Sequence, residues 1–231
     1  MTCDQIVDRL KALANPDNIA GMARYGIGTE GCLGVPMPVL RQMAREIGHC
    51  HDLADRLWRS GVHEARILAG LIDDPRQVTD EQMERWVVDI DSWDICDQLC
   101  NNLFSRTGFA REKAAAWSSR SETFVKRAGF VLMASLAVHD GKADDAVFAS
   151  FLLLIARESG DDRNFVKKAV NWALRQIGKR NPALNLLAVS TARAIGAMDS
   201  RSARWSAADA IRELTDEKSW YRWRKDGKKE T

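Results

Sequence analysis

Two side chains that could take part in chemistry lie four residues apart near the middle of the chain, Trp93 and Asp97. Residues at i and i+4 share one face of a helix, so a helix that starts near Ser92 would place an indole ring beside a carboxylate. Such a pair could stabilise positive charge on a reacting group. The alternative is a structural carboxylate at the rim of an apolar face, held by a neighbouring arginine or a cap contact. Taken alone, this helix favours the alternative.

A second set of side chains forms a stripe on the segment 165–179. Lys168, Trp172, Arg175 and Lys179 follow the spacing i, i+4, i+7 and i+11, which places them on one side of a helix. A large aromatic ring among three cations suits a surface that binds an anionic, partly aromatic partner better than it suits a core. Nucleic acid has these properties, so we predict that the three cations bind DNA.

The histidines and cysteines do not predict a metal site. His49-Cys50-His51 has no third or fourth ligand at a recognisable spacing, which favours surface positions. The five cysteines include no C-x-x-C pair, and Cys96 and Cys100, at i and i+4, favour core packing over a redox pair. We therefore predict no metal, no cofactor and the reduced thiols of a cytoplasmic protein.

The helix that carries the cationic stripe also carries an apolar face that needs a neighbour. That face contains Phe165, Val166, Ala169, Val170, Ala173 and Ile177.

Parts of this helix recur along the chain. Phe124-Val-Lys-Arg-Ala128 matches Phe165-Val-Lys-Lys-Ala169, and Ala210-Ile-Arg212 matches Ala173-Leu-Arg175. The spacing between the matched segments is similar in the two cases, and periods of about 40 residues are typical of stacked helix pairs of the HEAT or armadillo kind. We predict an all-α, single-domain α-solenoid of about six helix pairs with a concave basic face.

Apolar periodicity and cap signals predict helices throughout the chain, and no segment has convincing strand alternation. The predicted helices span residues 2–14, 17–25, 36–47, 51–60, 63–72, 79–90, 93–104, 108–118, 122–138, 143–157, 163–178, 182–196 and 200–214.

The glycine-rich segment 26–34 matches neither phosphate-binding fingerprint and follows no strand, so its sequence favours a structural turn over a phosphate cradle. We assign residues 1–216 to the helical repeat domain. We predict that residues 217–231 form a basic, aromatic C-terminal tail, and the alternative is that they make a further contact with DNA.

The charge is unevenly distributed although the net charge is only +2. Residues 61–116 carry a net charge of −5, whereas residues 117–181 carry +4 and residues 182–231 carry +3. The positive potential is therefore expected in the second half of the chain. No apolar run approaches the roughly 20 residues of a membrane span, and the polar first residues are unlike a signal peptide, so we expect a soluble protein without a membrane partner.

Three motifs follow one another on the predicted helices: Trp93-Asp-x-x-Asp97, then Phe124-Val-Lys-Arg127-Ala, then Phe165-Val-Lys-Lys-Ala-Val-Asn-Trp172-Ala-Leu-Arg. This ordered set resembles the AlkD-type DNA alkylation repair enzymes, which are HEAT-like repeat DNA glycosylases. The likeness covers most of the chain, roughly residues 25–215. Each motif is weak alone, but the set in this order is fairly specific.

The resemblance implies roles for four of these residues. Asp97 would be the catalytic carboxylate, Trp93 and Trp172 would line the concave active surface, and Arg127 would lie beside Asp97 and contact the DNA backbone. It also implies excision of cationic N3- or N7-alkylated purines from double-stranded DNA without flipping of the base into a pocket. We expect the protein to be a monomer.

Two other functions stay open at the level of sequence. One is a catalytically silent helical-repeat module that binds damaged or structured nucleic acid; the other is a scaffold that binds peptides, as solenoids often do. Retention of Asp97 favours the enzyme over the silent module. The stripe of Lys168, Trp172 and Arg175 favours nucleic acid over peptide.

Overall fold

The computed structural model describes residues 1–216, and the tail predicted for residues 217–231 lies outside the described residues. The described part forms thirteen α-helices, one short 3-10 helix and no strand, so the predicted all-α fold is confirmed. Every predicted helix is present, with its ends within two residues of the predicted positions. In order, the elements are α1 (Cys3–Ala12), α2 (Pro16–Arg24), α3 (Met37–Ile47), α4 (His51–Arg59), α5 (His63–Ile72), α6 (Asp80–Val88), α7 (Trp93–Asn102), η1 (Phe104–Arg106), α8 (Ala110–Ser118), α9 (Thr123–His139), α10 (Asp145–Glu158), α11 (Asn164–Gly178), α12 (Pro182–Gly196) and α13 (Arg201–Leu214).

The helices group into two compact units, of which the first ends at Phe109 and the second begins at Ala110. The first unit contains α1 to α7 with η1, and the second contains α8 to α13. Between residues 1 and 216, no helix has the length and apolar character that a membrane crossing would require.

Helix α5 is the centre of the first unit. Eight of its ten residues are buried, and it packs against α3, α4 and α7. Gly70 allows this close approach, because a Cβ atom there would lie 3.0 Å from Leu99 Cδ1 of α7. Elsewhere in the unit, the rings of Trp58 and Trp86 stack with centroids 4.4 Å apart and join α4 to α6. The position of α7 is therefore set mainly by its contact with α5.

The glycine-rich segment 26–34 is held by a buried carboxylate. Glu64 of α5 is 1% exposed and accepts hydrogen bonds from the backbone N–H groups of Leu33, Gly34 and Val35, at 2.6 to 3.3 Å. Gly34 has a φ of +75°, and a Cβ atom there would collide with the carbonyl oxygen of Asn15. Three amides that could have bound phosphate are thus occupied by Glu64, which supports the prediction of a structural turn.

Helix α9 is the centre of the second unit. Thirteen of its seventeen residues are buried, and its main neighbours are α8 and α11. The rings of Phe124 and Phe165, which occupy equivalent positions in the sequence repeat, lie 5.5 Å apart between centroids. Helix α11 also packs against α10, α12 and α13. The sequence repeat therefore relates two helices that are packed against each other.

The packing of α8 on α9 predicts an unusual response to a glycine substitution. In a helix, Gly→Ala is normally stabilising by roughly 0.5 to 1 kcal/mol. At Gly129, however, a new Cβ atom would lie 2.6 Å from Ser118 N and 3.0 Å from Ala114 O. We expect Gly129→Ala to lower the free energy of unfolding by about 1 to 3 kcal/mol in urea titrations.

Gly21 of α2 is the matched control, because a Cβ atom there meets nothing within 4 Å. Gly21→Ala should raise the free energy of unfolding by about 0.4 to 1 kcal/mol. Stabilisation by both substitutions would show that α8 and α9 are not packed as closely as described.

Candidate functional site

Helix α7 presents Trp93 and Asp97 on its accessible side. Its opposite side is buried through Ile95, Cys96, Leu99 and Cys100, which pack into the first unit. Trp93 and Asp97 are both partly exposed, so the structure places the ring and the carboxylate together as the i, i+4 spacing predicted. The two cysteines on the opposite side are fully buried, which supports their interpretation as core residues.

The ring of Trp93 is oriented by the backbone of another helix. Its Nε1 donates a hydrogen bond to the carbonyl oxygen of Tyr25, at 3.1 Å. Tyr25 is the C-cap residue of α2, directly after Arg24. Because the indole N–H is satisfied in this way, one edge of the ring is fixed while part of the ring remains accessible.

The first turn of α7 is anchored to α5 by a largely buried ion pair. His63 Nε2 lies 2.8 Å from Asp94 Oδ2, and the hydroxyl of Ser92 donates to the same carboxylate. Burial lowers the pKa of His63, but the hydrogen bond and negative charge of Asp94 outweigh this effect and raise the pKa above its ordinary value. Burial raises the pKa of Asp94, yet the hydrogen bond and charge of His63 hold it below the usual range.

The predicted cationic stripe forms on α11, but two of its cations are paired with acids. Arg175 pairs with Glu213 of α13, and the Nζ of Lys179 lies 2.6 Å from Glu213 Oε1. Asp209, also on α13, lies 3.6 Å from Arg175. Helix α13 therefore offsets much of the positive charge of Arg175 and Lys179.

The other two members of the stripe remain accessible. Lys168 is exposed and Trp172 is partly exposed. Between residues 1 and 216, the ammonium of Lys168 makes no ion pair. Within the stripe, Lys168 is thus the cation best placed to meet an anionic ligand.

Arg127 occupies an interior position. It is 6% exposed, and its Nη1 donates a hydrogen bond to the carbonyl oxygen of Phe165 at 2.7 Å. The sequence repeat placed Arg127 in register with Lys168, but their environments differ because α9 is covered by α8 and α11. The observed bond joins α9 to α11. Contact between Arg127 and DNA stays a prediction.

Three residues with structural roles at this site did not emerge from the sequence patterns. His63 and Glu64 are adjacent on α5, and each binds a different segment of the first unit through its buried side chain. Asp94 is a member of the Trp93-Asp-x-x-Asp97 motif, but the sequence patterns assigned no role to it. For His63 and Glu64, a signal was present in the sequence, because they are polar residues in α5, a helix whose other positions are almost all apolar.

The two histidines near residue 50 bind one aspartate. His51 Nδ1 lies 2.7 Å from Asp73 Oδ1, and His49 Nδ1 lies 2.9 Å from the carbonyl oxygen of the same residue. In the part of the chain that the structure describes, no group of three or more His, Cys, Asp or Glu side chains is arranged to hold a metal ion.

Comparison with known proteins gives a family match and a structural match. Residues 6–214 match the model of a family described as DNA alkylation repair enzyme. The fold is similar to that of a solved structure from a new family of proteins related to the HEAT-like repeat DNA glycosylases with affinity for branched DNA structures. The two chains are 19% identical, with a TM-score of 0.78 over 91% of this chain and 94% of the other. A search of curated proteins found no match.

The His63–Asp94 pair predicts a pH-dependent contribution to stability. Because the pKa of His63 is raised in the folded protein, its charged form stabilises the fold. This contribution is fully present below the pKa of an unfolded histidine, near 6.5, and is lost as the pH rises through the folded pKa. The lowered pKa of Asp94 contributes above the unfolded aspartate pKa, near 4, and its contribution is lost as the pH falls through the folded value. Asp94→Asn should therefore destabilise the protein most between about pH 4 and 6.5, by about 1 to 3 kcal/mol.

Urea unfolding at pH 5 and pH 8.5 measures this effect. Asp199→Asn, at a fully exposed carboxylate, is the control and should change stability little at either pH. An Asp94→Asn penalty that is equal at the two pH values would show that His63 carries no charge in the folded protein.

Proposed function

The chain belongs to the DNA alkylation repair enzyme family, and from this premise we propose that it is a DNA glycosylase that removes cationic N3- or N7-alkylated purines from double-stranded DNA. The observation that carries the proposal is the placement of Trp93 and Asp97 together on the accessible side of α7. In that position, a carboxylate and an aromatic face can both reach a macromolecular substrate.

The reaction is the hydrolysis of the N-glycosidic bond. The bond between deoxyribose C1′ and the purine nitrogen breaks, and its electron pair goes to the purine, which neutralises the positive charge of the alkylated base. Water adds to C1′ and loses one proton, so the products are a free base and an abasic sugar. Because the leaving base is already cationic, no strong general acid is required.

Asp97 would stabilise the positive charge that develops on the deoxyribose. An oxocarbenium-like transition state carries this charge near C1′, and a fixed carboxylate interacts with it more strongly than with the neutral sugar of the ground state. The anchored ring of Trp93 would offer its face to the cationic base or sugar. Both contacts act from the surface of α7, consistent with excision without a pocket for a flipped base.

In the second unit, the stripe on α11 would contact the DNA backbone. Lys168 is the accessible cation, and Trp172 offers a ring face for contact with a cationic base. Arg175 and Lys179 would bind phosphate in competition with Glu213. A DNA phosphate that approaches α11 would therefore have to displace the carboxylate of Glu213 from these two cations.

A second candidate is recognition of branched DNA without excision. It is favoured by the similarity in fold to a protein with affinity for branched DNA structures. If the protein is a glycosylase, it must release base from methylated duplex DNA. If it is a silent module, it should release no base and should bind a four-way junction more tightly than a linear duplex.

Asp97→Asn tests the catalytic role. The substitution is nearly isosteric and removes the charge, so single-turnover base release from methylated duplex DNA should fall by roughly tenfold to a thousandfold. Affinity for the duplex should stay equal or rise slightly, because one anionic repulsion is removed.

Asp91→Asn is the matched control, since Asp91 is an exposed aspartate six residues earlier in the chain. It should leave base release unchanged and change thermal stability little, because it weakens only the 3.6 Å ion pair between the exposed Asp91 and Arg66. The catalytic assignment fails if Asp97→Asn releases base at the parental rate per molecule but melts at a lower temperature.

A pair of substitutions tests the stripe on α11. Lys168→Ala should weaken duplex binding about equally for all sequences and reduce the salt slope of log K by about 1, because a phosphate contact carries no base information. Glu213→Gln should strengthen duplex binding, since it removes a competitor for Arg175 and Lys179.

Fluorescence anisotropy at several salt concentrations measures both effects. Lys142→Ala, at an exposed lysine after α9, is the control. If Lys168→Ala and Glu213→Gln both retain the parental affinity and salt slope, the stripe does not contact DNA.

A further inference from the structure

A cleft with a basic lining, the basic cleft, lies in the first unit, apart from Trp93 and Asp97. Its volume is about 410 Å³. Arg41 and Arg45 of α3 line it together with Arg106 of η1, Asn102 at the end of α7, and Leu71 of α5. Three cations therefore converge on a space large enough for a small anionic group.

The three arginines form no ion pair within the described part of the chain, and the adjacent Glu46, which interacts electrostatically with Arg45, is itself paired with Arg9. No aspartate or glutamate is among the described residues that line the cleft. The guanidinium groups of Arg41, Arg45 and Arg106 form no ion pair or hydrogen bond with any side chain between residues 1 and 216. Guanidinium groups present several N–H donors in a planar fork that matches phosphate oxygens. The cleft thus offers donors and positive charge to an external anion.

A second cleft in the same unit shows the usual arrangement for surface arginines. It has a similar volume, about 420 Å³, and it also contains three arginines. There, however, Asp55 pairs with both Arg59 and Arg85. Two of the three arginines in that cleft are thus paired with a carboxylate, whereas the lining of the basic cleft contains no acid.

Local stability does not account for this arrangement. Arg41 and Arg45 lie at i and i+4 on α3, and like charges at this spacing destabilise a helix modestly. Their side chains are exposed, so they also contribute little apolar packing. The arrangement is favourable when an anion lies between the two groups, because the anion then neutralises both charges.

The cleft also lies on the accessible half of the helix that carries Asp97. Trp93, Asp97 and Asn102 are all partly exposed, whereas the other half of α7 is buried. Asn102 is five residues beyond Asp97, about 7.5 Å along the helix axis and about 140° around it, so the cleft and the carboxylate lie toward opposite edges of this accessible half. A strand that crosses this half of α7 could therefore meet both the cleft and the candidate catalytic carboxylate.

We infer that this cleft binds a backbone phosphate of the DNA substrate and acts as an anchor independent of the stripe on α11. The inference rests on the proposed function, which supplies the nucleic acid. Arg41 and Arg45 hold the phosphate from one side and Arg106 holds it from another. Since phosphate contacts fix position without reading sequence, the anchor sets where the strand lies relative to α7 and leaves lesion choice unaffected.

The test is the double variant Arg41→Ala/Arg45→Ala, compared with Arg59→Ala/Arg85→Ala. Both variants lose two positive charges from the first unit, but only the first loses them from the basic cleft. We expect the first variant to bind methylated duplex DNA at least about tenfold more weakly, with the salt slope reduced by about 2. The control should stay within about twofold of the parent, and both variants should melt near the parental temperature.

The possible outcomes separate this inference from the proposed function. If the parent binds methylated DNA and releases base from it, and the first variant binds this DNA equally well, the anchor is wrong and the glycosylase stands. If the parent binds DNA with the expected loss in the first variant but releases no base, the anchor stands and the glycosylase is wrong. If inorganic phosphate raises the melting temperature of the parent alone while the first variant keeps full DNA affinity, the cleft binds free anions and the inference is overturned.

Discussion

Two adjacent side chains of α5 determine how the first unit is held together. The carboxylate of Glu64 is buried and must be compensated, and three backbone amides of the segment before α3 provide the compensation. The preceding residue, His63, binds Asp94 in the first turn of α7. The segment before α3, helix α5 and helix α7 are thus joined by two polar contacts. Breaking either contact would cost much free energy, because it would leave a polar group unpaired in the interior. The orientation of Asp97 depends on them, because α7 carries it.

In the second unit, polar contacts between helices reduce the charge available for ligands. Arg127 is committed to the backbone of α11, and Glu213 draws Arg175 and Lys179 toward α13. The same cations that make this half of the chain basic therefore also join its helices. A polyanionic ligand must compete with these contacts, so net charge overestimates the attraction that the surface exerts.

The first unit shows the converse distribution. The net charge of its residues 61–109 is negative, yet most of the acids there are engaged in internal contacts, such as Asp73 with His51 and Gln82. The arginines of the basic cleft, by contrast, are exposed and face no carboxylate there. The electrostatic potential at a surface depends on which charges are paired internally. A segment that is acidic in total can therefore present a cationic surface to a partner.

The sequence by itself determined the helices and most of their buried faces, because apolar periodicity and caps are local properties. All thirteen helices lie where predicted, and on α11 the residues Val166, Ala169 and Val170 are buried as expected. It also determined that Trp93 and Asp97 share one side of α7. Only the tertiary structure decided that Arg127 is interior, that Glu213 neutralises part of the stripe, and that Arg41, Arg45 and Arg106 converge. The reason is that burial and ion pairing depend on neighbours from other helices, distant in the chain, and the periodicity of one helix does not specify them.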